Sequence, residues 1–256
     1  MFLLILSSYL LSCTSFVDCG WAAFAGINSW YSFYQGTNYY KSAVQIHELG
    51  HNFNMAHSGG LNGQTYTDHT GAMGNPLYSD EVGKICFNAA KSWQLGWYSD
   101  RTVTVNPESQ SNTWSTVREM VGVADYKRNN NNHPVLIKIN VGGSTDYFVN
   151  YNRATGINSQ NDEADNEVTI VKGNGGAYSQ SWLQATLTEG QTHTISNGNV
   201  GGGGIKVKYL RKITEGSLWK AEVFIGTNLA VSLLLIVIVN VDIMLTHGHI
   251  LLLHSQ

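Results

Sequence analysis

Eleven residues, His47-Glu48-Leu49-Gly50-His51-Asn52-Phe53-Asn54-Met55-Ala56-His57, constrain this 256-residue chain more than any other stretch. On a helix His47 and His51 stand at i and i+4, so their rings project from one face roughly 6 Å apart and can grip one ion. Glu48 sits beside them. A continuing helix would carry His57 about 600° round from His51 and roughly 9 Å along the axis, so the helix must end first if the third imidazole is to join the other two. The extended form of this motif has glycine three residues after the second histidine, in the positive-φ region. Here that position is Asn54, and asparagine is the non-glycine side chain that enters the left-handed region most readily and also serves at helix C-caps. The exchange costs about 1 kcal/mol and does not forbid the turn.

Three imidazoles and a carboxylate in this arrangement meet the needs of a catalytic zinc site, which takes three protein ligands and keeps one position open. His47, His51 and His57 are the predicted ligands of Zn²⁺, and Glu48 is the predicted general base for a water whose pKa the metal lowers from ~15.7 to about 7. The bland alternative is coincidental spacing of surface histidines. With nine His and nine Glu in the chain, the pattern arises by chance roughly four times in ten thousand such sequences, which favours the metal.

Sixteen positions after His57 lies Met73, the one large apolar side chain of the turn-rich stretch Asp68-His69-Thr70-Gly71-Ala72-Met73-Gly74. In zinc peptidases of the metzincin type a methionine turn lies beneath the metal, and Met73 falls at a suitable distance to be that floor. His69, next to Asp68, reads as a solvated loop histidine. Acidic residues at the start and Gly96 at the end predict a helix over Asp80–Leu95, with Val82, Ile85, Phe87, Ala89, Ala90 and Trp93 packing against the zinc-binding segment.

Taken with His-Glu-Leu-Gly-His-Asn and the Met73-Gly74 pair, the run Cys86 to Tyr98, Cys-Phe-Asn-Ala-Ala-Lys-Ser-Trp-Gln-Leu-Gly-Trp-Tyr, resembles the gametolysin family of metzincin peptidases over about Cys19 to Ile225. That resemblance implies a secreted endopeptidase acting on extracellular or cell-wall proteins and glycoproteins. It further implies zinc on His47, His51 and His57, Glu48 as catalyst and Met73 as the turn methionine. Asn54 departs from the family glycine, and only 46 residues precede the motif where such domains use roughly a hundred to build an upper sheet that holds substrate by strand addition. Of Cys13, Cys19 and Cys86, the pair Cys19–Cys86 is expected first, because both lie in the family-like region.

The expected fold class is α+β: a shortened metzincin-like zinc peptidase domain over 19–100, followed by an all-β sandwich or barrel over 101–226. Short alternating runs at Arg101–Val105, Val135–Val141, Tyr147–Tyr151, Glu167–Val171, Trp182–Leu187, His193–Ile195, Ile205–Leu210 and Trp219–Ile225, separated by Gly- and Asn-rich turns, carry the second part. Tyr147, Tyr151, Tyr178 and Trp182 are open to two readings, a sugar platform or core and cross-strand pairs, and the second fits alternating strands better. Fifteen basic against eighteen acidic residues give a net charge of −3, too small to steer nucleic acid.

Residues 1–18 fit either a signal peptide without its basic start or a buried strand. Residues 227–256 include the uncharged run ending at Val241, just under the ~20 residues needed to span a bilayer, which admits membrane anchoring. Two rivals to the peptidase stand: a non-catalytic surface or cell-wall binding protein on a truncated peptidase scaffold, and a zinc hydrolase of small molecules.

Overall fold

The structure, a computed structural model, describes residues 7–11, 20–74, 84–107, 114–128, 132–161, 163–174, 176, 178–196 and 203–227. Cys13, Cys19, residues 80–83 of the predicted 80–95 helix and the apolar tail from 228 onward lie outside the described residues. Among those described, no helix is long and apolar enough to cross a membrane.

The chain opens with strands β1 (Ser7–Leu11), β2 (Ala23–Ala25) and β3 (Tyr31–Gln35), which form a three-stranded sheet in the order β1-β3-β2. β1 runs parallel to β3, whereas β2 is antiparallel to it and, among the described residues, is an edge strand of this sheet. Residues 7–11 are strand in the structure. Despite the few residues before the motif, a small sheet does stand beside the helix that follows.

That helix, α1 (Ser42–Asn52), leads to the two-residue strand β4 (Ser58–Gly59) and then to α2 (Ala89–Leu95). The second helix is shorter than predicted. It begins where the Asn88 side chain accepts the Lys91 N–H at 3.0 Å, a stronger start signal than the acidic pair upstream, and ends at Gly96 in the left-handed region at φ +68°.

Strands β5 (Thr102–Val105), β6 (Ser115–Val121), β7 (Leu136–Ile139), β8 (Asp146–Asn152), β9 (Glu167–Gly173), β10 (Ser181–Leu187), β11 (Thr192–Ile195), β12 (Ile205–Glu215) and β13 (Leu218–Gly226) complete the chain. They form a six-stranded sheet, β4-β10-β9-β8-β7-β5, and a four-stranded one, β11-β12-β13-β6. Alternate residues such as Val149, Ile170, Val207 and Val223 meet in one core between the two sheets, the arrangement of a sandwich.

The opposite face of the six-stranded sheet is also apolar. Phe148, Val171 and Leu183 pack there against Ala89 and Ala90 of α2, with Trp93 5.5 Å from the Phe148 ring. The apolar face of α2 thus covers the sheet, not the zinc-binding segment as the sequence suggested. Together with β4, which pairs in parallel with β10, it ties the 19–100 segment into the β-rich half. Tyr147 and Tyr151 are buried in the sandwich core, which removes them from any sugar platform.

Candidate metal centre

Helix α1 buries Ala43, Val44, His47, Glu48, Gly50, His51 and Asn52, so its inner face carries chemistry as well as packing. Its end is built by Asn54. That residue sits at φ +65°, while Met55 N–H reaches Gly50 O at 3.0 Å and Asn54 N–H reaches His51 O at 2.9 Å. This pair of bonds is a Schellman motif with asparagine in the position usually held by glycine. The chain then reverses and brings His57 back over the helix.

His47 Nδ1 lies 2.8 Å from Ala72 O, and His51 Nδ1 lies 2.8 Å from Met55 O. A carbonyl can only accept, so both Nδ1 atoms carry the proton and both Nε2 atoms are left as bare lone pairs. His57 Nε2 stands 3.0 Å from His51 Nε2, and one ring nitrogen from each of the three residues lies within 4.8 Å of the others. Tetrahedral zinc with Zn–N of 2.0–2.1 Å needs nitrogens about 3.3 Å apart, so the spacing suits such an ion. Among the described residues no other group of histidine, cysteine or carboxylate side chains converges this way.

The protonation states agree with metal binding. Burial, followed by the charge of His51, holds His47 down to about 3, burial does the same to His57 at about 4, and His51 is lowered for the same chief reason. All three are therefore neutral, the form that ligates. Burial pushes Glu48 up to about 7, and its Oε2 is buried without a hydrogen-bond partner among the described residues. A buried carboxylate oxygen left bare beside three converging lone pairs fits a hydrated cation.

Met73 is fully buried. Its sulfur fills the space that a Cβ on Gly50 would take, so it lies against the helix between the two helical histidines, as a floor would. Its carbonyl accepts the Ser58 N–H at 2.8 Å.

Several residues that shape the centre carry no signal in the motif. Asn52 is one: it accepts the Ser32 hydroxyl at 2.9 Å and donates to Gly26 O at 3.1 Å and Tyr31 O at 2.9 Å, binding α1 to the β2–β3 hairpin. Asp68 accepts the Thr70 hydroxyl at 2.6 Å and Asn88 Nδ2 at 2.8 Å, which joins the Met73 loop to the start of α2. An N-cap scan at Asn88, followed by Ala89 and Ala90, would have found the second. His69 is not part of the metal cluster; its backbone N–H donates to Glu163 Oε2 at 3.3 Å.

The three imidazoles open into a cleft of about 400 Å³ walled by Ala23, Phe24 and Ala25 of β2 on one side and by Tyr66 and Tyr178 on another. The Tyr66 ring lies 3.9 Å from that of His57. Burial raises its phenol above the usual range, and the nearby Glu48 charge adds to this. Cys86, expected to pair with Cys19, is a free thiol, raised to about 12 by burial.

No characterised protein and no solved structure gave a match to the chain. The model of one family, described as gametolysin peptidase M11, matches residues 7–199, a span that contains the whole cleft and eleven of the strands. The chain therefore belongs to the gametolysin family of peptidases.

Proposed function

We propose that the protein is a zinc-dependent endopeptidase whose substrates are extracellular or cell-wall proteins and glycoproteins. The observation that carries this is the bare, buried Glu48 Oε2 beside three converging imidazoles, two of which have Nδ1 on a carbonyl and so offer Nε2 to an ion. His47, His51 and His57 hold the ion. Zinc, when bound, supplies Lewis-acid polarisation of the scissile carbonyl and a lowered pKa for water. Glu48 takes a proton from the attacking water, and the same carboxylic acid then delivers it to the departing amine nitrogen. Met73 keeps the floor apolar, and the Asn54 turn brings His57 into place.

The edge strand β2 supports a peptide as substrate. An extended chain can add to that edge as a further strand, which lays its backbone along the wall of the cleft and across the histidines. A small-molecule hydrolase has no use for such a wall. A non-catalytic binding protein on the same scaffold would leave the buried carboxylate without a task, although keeping it costs stability.

In this account residues 19–100 supply the reacting side chains and 101–226 the sandwich that braces them. Secretion to the extracellular space or cell wall completes the proposal. Purified protein assayed for zinc content and for cleavage of casein and gelatin tests the core of it. One zinc per chain and chelator-sensitive cleavage are expected. Tightly held zinc without any cleavage would favour the binding protein, and absence of bound zinc would overturn the metallopeptidase altogether.

A further inference from the structure

We propose that Tyr66 is a further catalytic residue, its phenol donating a hydrogen bond to the scissile carbonyl oxygen as that oxygen becomes a tetrahedral oxyanion. The assignment rests on the peptidase function proposed above. Hydrolysis of a peptide bond places negative charge on this oxygen, and a donor already aimed there is among the largest sources of rate. Donors are scarce in the cleft. Apart from the imidazoles, the described side chains lining it offer only the Trp21 indole and the hydroxyls of Tyr66 and Tyr178.

Geometry separates Tyr66 from the other two. Its ring centroid stands 3.9 Å from that of His57 and 6.1 Å from that of His47, which sets the side chain against the histidines, and its phenol feels the charge of Glu48.

The backbone gives independent support. Tyr66 sits at φ +70° and Tyr178, on the same cleft, at +37°, an uncommon conformation for a bulky side chain and one that collects at functional sites; the contact with the histidines belongs to Tyr66. Core packing does not explain it, since Tyr66 is 42% exposed. The turn that carries it is braced: Thr67 Oγ1 accepts the Gly60 N–H at 3.1 Å and stands 2.6 Å from Asn62 Oδ1, and a Cβ on Gly60 would collide with the Thr67 carbonyl. A braced turn that holds the ring against the histidines supplies the rigidity preorganisation requires.

Tyr66→Phe keeps the stacked ring and removes only the hydroxyl. The expected result is a kcat about 100-fold lower, the typical loss for one oxyanion donor, with KM within about threefold and one zinc per chain retained. A phosphinic peptide, which mimics the tetrahedral centre with an anionic oxygen, should bind about 100-fold more weakly by calorimetry. An uncleaved peptide should bind equally well whether residue 66 is Tyr or Phe in a Glu48→Gln background. Tyr66→Phe protein whose kcat and phosphinate affinity stay within about threefold of wild type overturns the assignment alone. So does a loss confined to KM or to zinc content. Wild-type protein that holds zinc and cleaves no peptide overturns the peptidase function and this assignment with it.

Discussion

The carbonyl oxygen of Asn54 accepts the backbone N–H of Tyr178 at 2.9 Å, so the residue that ends the metal-binding helix also anchors a side wall of the cleft. Gln94 Nε2 donates to the same oxygen at 2.8 Å. Both contacts use the main chain, so Asn54→Gly keeps them and relieves the left-handed backbone. Zinc affinity should be unchanged or higher, with stability within about 1 kcal/mol of wild type. Asn54→Val forces a β-branched residue into φ +65°; it should cost about 1–3 kcal/mol and weaken zinc binding. Urea unfolding and competition with a chromogenic chelator measure the two effects, and a glycine variant that loses zinc would contradict this account of the turn.

Glu48 carries the proton in both halves of the proposed reaction. Glu48→Gln should lower kcat by about 10²–10⁴-fold while zinc stays bound at one per chain, since the ligands are untouched. Retention of most activity by this variant would exclude Glu48 as the base.

The metal-free protein should respond to pH in two opposed ways. His47 is held down to about 3 and His57 to about 4, with His51 also lowered, from an ordinary value of 6.5. The unfolded chain therefore takes up protons first, so this part of the stability is complete above pH 6.5 and is lost as pH falls towards 4. Glu48, pushed up from 4.5 to about 7, contributes with the other sign: its part is complete below pH 4.5 and is lost as pH rises through 7. Three groups outweigh one on the acid side, so thermal melts of the metal-free protein should fall on acidification. Metal-free Glu48→Gln lacks the alkaline loss and should melt above metal-free wild type at pH 8. Equal melting temperatures there would show that burial of the carboxylate carries no penalty.

Asn52 holds the helix to the hairpin through three hydrogen bonds. Asn52→Ala leaves the Ser32 hydroxyl and two carbonyls to find new partners, at a cost of about 1–3 kcal/mol for each group left buried and unpaired. Because β2 lines the cleft and is the wall along which the proposed peptide substrate lies, KM should rise more than kcat falls. Peptide kinetics at saturating zinc separates this from simple loss of metal.

The metal cluster could be read from the chain because its chemistry depends on local spacing: i and i+4 on one helix, and a residue tolerant of positive φ where that helix ends. Most sandwich strands were readable for the same kind of reason, since alternation of side chains such as Tyr147, Val149 and Tyr151 has a period of two. β6 was missed because Arg118 and Glu119 break its apolar alternation; Glu119 faces Lys220 Nζ at 2.6 Å across the sheet. The start of α2 was misplaced because the Asn88 cap depends on a folded loop and not on acidic neighbours. Tyr66 gave no signal at all. Nothing in Gln64-Thr65-Tyr66 announces a left-handed tyrosine, and only the return of His57 over α1 gives its ring a partner.

The parallel pairing of β4 with β10 bears on the order in which the parts of the candidate metal centre become complete during synthesis. Ser181 N–H donates to His57 O at 3.2 Å, and Ser58 Oγ meets Ser181 Oγ at 2.9 Å across 123 positions of sequence. A nascent chain still shorter than that at the ribosome has all three histidines but lacks the strand that holds the last of them. The histidine triad therefore gains its full bracing only once residue 181 has left the ribosome.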